Sequence, residues 1–304
     1  MKNLRIVFIV LYSLLTALFL SHLAHMYNLE SELSSEPYIR AETPSAILYN
    51  VFLTLAIVSI TGFILFTLIR RAKINVLRAV KVALISFLIL VLTSLFTSLL
   101  LMYLLEKTPL LSILLLLPHE VSDVLIIALP IAASVAHIYM TFICRNELVN
   151  ALAIATYGTE AGTYLAVILP QSTVIVVAVA LALYDLFAVY RGFIGKLVDE
   201  LRKGVDQGVK PHYLPPLHTV LHGFILKLGN VGLGVGDIVV YSMIVSSMYL
   251  NLGLTYSLLM VPPLIAGFIV TIRVLARRKR GYAPALPIPV LLATLIYITC
   301  AVLL

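Results

Sequence analysis

Apolar and polar residues fall along this chain in long blocks, unlike the short periods of a soluble helix or strand. Nine apolar stretches approach the length a helix needs to cross a bilayer: Ile6–Met26, Ala46–Ile69, Val82–Leu105, Val121–Ile143, Leu148–Leu169, Ser172–Tyr190, Val231–Leu250, Leu254–Leu275 and Ala283–Leu304. Leu110–Leu117 is too short to cross and reads as an interfacial or re-entrant piece. The pattern predicts an all-α membrane protein. Spans one to five form an N-terminal bundle over residues 1–170, and spans six to nine form a second half over 171–304. An inner loop, 191–230, joins the sixth span to the seventh and is broken by Pro211, Pro215 and Pro216. Lys2 and Arg5 precede the first stretch as they would in a signal peptide. That stretch is long and no A-x-A site follows it, so it reads as a retained helix.

Composition agrees. Hydrophobic residues make up 62% of the 304 and charged residues 12%, with a mean hydropathy of +1.09. A soluble domain is closer to half apolar and a quarter charged, which argues against a soluble globule, a disordered tail or a nucleic-acid module. The formal charge of +7 matters through its placement. With nine spans and the N-terminus inside, 19 of the 21 basic residues fall on inner segments, and only Arg40 and Lys107 lie outside. That asymmetry predicts N-terminus in and C-terminus out. Cys144 and Cys300 are too few for a disulfide framework or a four-ligand zinc site.

Most acidic residues lie in loops, but Asp185, Asp237 and Glu160 do not. An ionisable group at bilayer depth is expensive and marks a functional hypothesis. Arg191 is six residues beyond Asp185, roughly 9 Å along a helix, and Lys227 is ten residues before Asp237, roughly 15 Å. Both aspartates therefore sit in the inner halves of antiparallel spans at similar depth. Two carboxylates a few ångströms apart tend to share one proton. One then acts as base toward water while the other polarises a peptide carbonyl, as in aspartic proteases, with no metal or cofactor. Each Asp alone also fits a helix–helix hydrogen bond or an ion path. Glu160 lies in a polar patch, residues 156–163, that becomes outer loop if the fifth span ends early.

Gly232-x-x-x-Gly236 has the spacing of a close helix contact. Glycines before Asp237 also leave room for another backbone beside the carboxylate. Pro284, Pro287 and Pro289 favour an extended entry to the last span, which membrane depth tolerates only where it lines a cavity or is buried in protein.

Tyr184-Asp185, Gly234-x-Gly236-Asp237 and Pro284-Ala285-Leu286, in that order on spans six, seven and nine, resemble the presenilin / signal peptide peptidase family of GxGD intramembrane aspartyl proteases, and the archaeal presenilin homologues in particular. The resemblance implies that Asp185 and Asp237 are the catalytic pair. It implies that Tyr184, Gly234, Gly236, Pro284, Ala285 and Leu286 shape the site and dock substrate. The inner loop of about 40 residues is shorter than presenilin's, so neither a maturation cut nor obligate partner subunits are expected. The implied partners are transmembrane helices of membrane-protein or signal-peptide substrates and the lipid bilayer, with no nucleic acid. The implied place is a multi-pass position in the cell membrane of a prokaryote.

Rivals fit less well. A prepilin or preflagellin peptidase keeps its first Asp in the cytosol and lacks the proline motif, whereas Asp185 is flanked by apolar Ala178–Leu183 and Leu186–Val189. His119-Glu120-Val121-Ser122-Asp123 lacks the second His of a zinc protease, and His212, His218 and His222 give no third-ligand pattern. No Gly-x-Ser occurs for a rhomboid-type serine site. A cation transporter or channel using the two aspartates stands as the alternative of a different class, without inverted repeats to support it. Finally, His222–Leu228, rich in large apolar residues, is expected to form a strand beside Asp237 to which an unwound substrate adds.

Overall fold

The computed structural model describes residues 2–33, 36–70, 74–109, 119–190, 223–228, 231–277 and 284–303. Leu110–Leu117, His212, His218, His222 and nearly all of the 191–230 loop lie outside the described residues.

The elements run α1 (Lys2–Met26), a short α2 (Leu29–Glu32), α3 (Pro44–Arg70), α4 (Ile74–Lys107), α5 (His119–Phe142), α6 (Glu147–Ile168), α7 (Gln171–Tyr190), β1 (Ile225–Leu228), β2 (Val231–Gly234), α8 (Val235–Leu252), α9 (Leu254–Arg277) and α10 (Pro287–Leu303). Among the described residues this membrane protein is all-helical apart from one small hairpin. Seven of the described helices are long and apolar enough to cross a bilayer: α1, α3, α4, α5, α7, α8 and α9. α6 is long enough, but its polar patch lowers its hydropathy, and the apolar helix α10 is shorter.

Burial sorts the helices. α8 lies at the centre, packed against α1, α6, α7 and α9, while α3 has few buried residues. Leu48, Phe52, Phe63, Phe87, Val124 and Ile127 point outward from α3, α4 and α5. So much apolar surface is untenable in water and suits lipid tails. Packing between the central helices depends on missing side chains. A Cβ on Gly162 would lie 2.4 Å from the Val239 carbonyl oxygen and 2.8 Å from Ser242 Cβ, and one on Gly158 would lie 3.2 Å from Ile238 Cγ2. Gly158-x-x-x-Gly162 therefore brings the α6 and α8 backbones into direct contact.

Gly232 and Gly236 have the same spacing and two readings, a helix contact or room beside Asp237, and the structure removes the first. Gly232 belongs to β2, and a Cβ on Gly236 would meet nothing within 4 Å. The seventh stretch, expected as a span from Val231, begins with β2 and turns helical only at Val235. Gly232 and Gly234 are poor helix residues, and the backbone of this segment pairs with β1 instead. Glu160 is not a loop residue: it is buried in the middle of α6.

Candidate active site

β1 and β2 pair antiparallel with Ile225 opposite Gly234 and Leu226 opposite Leu233. Val235 N–H donates to the Phe224 carbonyl at 2.9 Å, which continues the ladder into α8. Hydrogen-bonded positions alternate along an antiparallel pair, so the Gly234 N–H points off the ladder.

Gly234 is also the N-cap of α8, and Asp237 is the third residue of its first turn. The Asp237 carboxylate curls back toward the Gly234 backbone. This is the carboxylate half of a capping box. A Cβ on Gly234 would stand 3.2 Å from Asp237 Oδ2, so glycine at this position keeps the curl unhindered. Gly234 and Asp237 of the GxGD motif thus form a helix start that holds its acid on its own backbone.

Asp185 lies on α7 and faces the non-helical residues before α10. Leu286 N–H donates to Asp185 Oδ2 at 3.2 Å, and the Ala285 backbone faces the same carboxylate. α10 then starts with Pro287 at its first position, where a missing N–H removes no intrahelical bond. Pro289 falls within the same first turn, whose N–H groups are orphans anyway. Gly267 on α9 seats this entry, since a Cβ there would lie 2.5 Å from Pro289 Cα. The buried side chain of Leu286 packs in the same core as Leu226, Leu233 and Ile238.

The two carboxylates are close enough to act on one another electrostatically. The structure therefore brings together Asp185, Asp237, Gly234, Ala285 and Leu286. Tyr184 precedes Asp185 on α7 and is half-buried, Pro284 is half-buried beside Ala285, and Gly236 leaves open space next to Asp237.

One residue of the site was missed by sequence reasoning. Tyr241 is wholly buried one turn after Asp237, and its hydroxyl donates to the Ala285 carbonyl at 2.9 Å. It also lies within electrostatic range of both aspartates. The signal was its spacing, since a residue four after Asp237 shares its helix face. The 285–286 segment is thereby held from both sides, the Leu286 N–H by Asp185 and the Ala285 carbonyl by Tyr241.

Among the described residues no group of three or more His, Cys, Asp or Glu side chains is placed to hold a metal ion. The site instead offers two carboxylates, a phenol hydroxyl and exposed backbone polar groups, a set suited to moving protons.

No protein-family model and no curated protein sequence matches the chain. A solved structure of a presenilin family intramembrane aspartate protease does match, at 15% sequence identity and a TM-score of 0.54. The match covers 97% of this chain and 99% of that one. The chain therefore has the fold of a presenilin family intramembrane aspartate protease.

Proposed function

We propose that this protein is an intramembrane aspartyl endopeptidase of the GxGD type, with Asp185 and Asp237 as its catalytic pair. The observation that carries this reading is the convergence of two carboxylates from separate helices beside a non-helical backbone segment. The pair holds one proton. The ionised carboxylate takes a proton from water, and the resulting hydroxide attacks the scissile carbonyl carbon. The protonated carboxyl gives its proton to the carbonyl oxygen. Collapse of the diol then moves a proton to the departing nitrogen and leaves a new acid and a new amine.

A transmembrane substrate hides its carbonyls in its own helical bonds, so it must unwind and find new partners. The ladder of the hairpin uses the backbone groups of Phe224 and Leu226, so those of Ile225 and Lys227 face the other edge of β1. Substrate adds there as a third strand. The same reading takes nine spans with N-terminus in and C-terminus out. Residues 1–170 are the scaffold and 171–304 the catalytic half. The place is a prokaryotic cell membrane, without obligate accessory subunits.

The test is mass spectrometry of a transmembrane peptide incubated with purified protein in detergent, comparing the unaltered chain with Asp185→Ala and Asp237→Ala. Cleavage within the apolar segment should vanish in either variant. Cleavage that survives Asp237→Ala removes the assignment. Cation flux into liposomes without any cleavage favours the transport reading.

A further inference from the structure

The proposed chemistry leaves one buried titratable cluster unused. Glu160 of α6, Thr93 of α4 and His137 of α5 are at most 7% exposed, and they meet where the three helices cross. Thr93 Oγ1 lies 2.8 Å from Glu160 Oε2 and 2.8 Å from His137 Nδ1. His137 Nε2 lies 2.8 Å from the Ala153 carbonyl oxygen, back on α6.

A proton count restricts this arrangement. The Ala153 carbonyl can only accept, so Nε2 carries a proton. Thr93 has one hydroxyl proton and two neighbours. If both Glu160 and Nδ1 lacked protons, the hydroxyl would satisfy one and leave two acceptors facing each other. If both carried protons, the hydroxyl proton would have no acceptor in the chain. Every bond is made when the cluster holds one mobile proton. Glu160 O–H then donates to Thr93 Oγ1, Thr93 O–H donates to His137 Nδ1, and Nε2–H donates to Ala153. Moving that proton to Nδ1 would keep the bonds but separate charge across a hydroxyl in a buried site, where ions are costly.

The cluster also connects to the hairpin. Ala153, Tyr157 and Glu160 share one face of α6. The Tyr157 ring lies 6.4 Å from the His137 ring, and the Tyr157 hydroxyl donates to the Gly223 carbonyl, two residues before β1. Gly158 and Gly162, on the adjoining face, carry α8 and hence Asp237. The register of α6 thus sets both the hairpin and the catalytic helix.

We propose that Glu160, Thr93 and His137 form an uncharged chain sharing one proton, and that this chain fixes α6 so that Tyr157 positions the hairpin for substrate. The second half rests on the peptidase reading, and the first half does not. Thr93→Val keeps the shape and removes the bridge, Thr93→Ser restores it, and Glu160→Gln supplies an N–H donor in place of the acid proton. Three readouts apply in detergent: thermal unfolding, the infrared C=O stretch of a protonated carboxylic acid, and kcat and KM for a transmembrane peptide.

The expected results are a lower melting point and a KM raised on the order of tenfold in Thr93→Val, with kcat little changed. Thr93→Ser should recover both. Glu160→Gln should melt like the unaltered chain and lose the protonated-acid band. Tyr157→Phe should raise KM as Thr93→Val does. Three outcomes overturn the uncharged chain: Thr93→Val melting as the unaltered protein does, Glu160→Gln as damaged as Thr93→Val, or no acid band that depends on Glu160. A Thr93→Val protein that melts early but keeps its KM overturns the positioning role alone. If the unaltered chain cleaves nothing, the peptidase reading fails, while melting and infrared still decide the proton chain.

Discussion

Replacing Tyr241 with Phe removes one oxygen from the centre of the site and little else. The ring is wholly buried, so its packing is retained, and the loss is the 2.9 Å bond to the Ala285 carbonyl. A typical hydrogen bond contributes about 1 kcal/mol, and stranding a buried acceptor costs about 1–3 kcal/mol. Ala285 is only half-buried, so about 1–2 kcal/mol is the relevant range. What moves is the 284–286 segment, whose Leu286 N–H holds Asp185. If the whole loss falls on the reacting geometry, kcat drops by about 5- to 30-fold, at 1.36 kcal/mol per factor of ten.

The assay is steady-state cleavage of a labelled transmembrane peptide, with binding of a transition-state mimic measured in parallel. The mimic should bind several-fold more weakly, because it needs the same placement of Asp185. Two results refute the reasoning. An unchanged kcat means that the Ala285 segment is held without Tyr241. A loss as complete as that of Asp237→Ala means that the hydroxyl takes part in the chemistry itself.

Other consequences follow from the same contacts. Gly162→Ala forces its methyl against the Val239 carbonyl at 2.4 Å, so the folded yield and melting point should fall, whereas Gly236→Ala enters open space and should melt normally while cutting more slowly. Equal melting of the two variants would contradict the packing described. Ile225→Pro removes an N–H from the open edge of β1 and should raise KM with the fold intact, while Leu226→Pro should also disrupt the hairpin, since its N–H faces β2. Wild-type cleavage by Ile225→Pro protein would show that substrate is held elsewhere. Activity should follow a bell in pH whose two limbs belong to the aspartate pair, with the double Asp→Asn variant little worse than either single one. A rate flat from about pH 4 to 9 would count against the pair, and loss of activity in EDTA would revive a metal reading.

The sequence displayed the helices because lipid imposes a coarse rule. A span needs a long apolar run, and that run is visible without knowing its neighbours. The three motifs were legible because charge, glycine and proline are rare inside such runs. What stayed hidden depends on which faces meet. Gly158 and Gly162 carry the same spacing as Gly232 and Gly236, and nothing local says which pair touches a helix and which opens a space. Tyr241 looks like any aromatic on an apolar helix until Ala285 is placed opposite it. The strand in 222–228 was anticipated from its apolar content, but its partner β2 was absorbed into the seventh stretch, because hydropathy does not separate a buried strand from the first turn of a span.

The two halves of the site solve one problem by the same means. A continuous helix in a bilayer uses up its backbone hydrogen bonds and offers none to a reacting carboxylate or to an unwound substrate. Within a helix, unpaired N–H groups occur only where it begins. Asp237 is therefore found at such a beginning, and Asp185 faces one. Asp237 curls toward the Gly234 backbone at the start of α8, and Asp185 takes the Leu286 N–H just before α10. Glycine delays the first helix and proline delays the second, each leaving a short non-helical stretch anchored by one buried leucine, Leu233 or Leu286. The residues that look like interruptions of a transmembrane pattern are the ones that make polar chemistry affordable there.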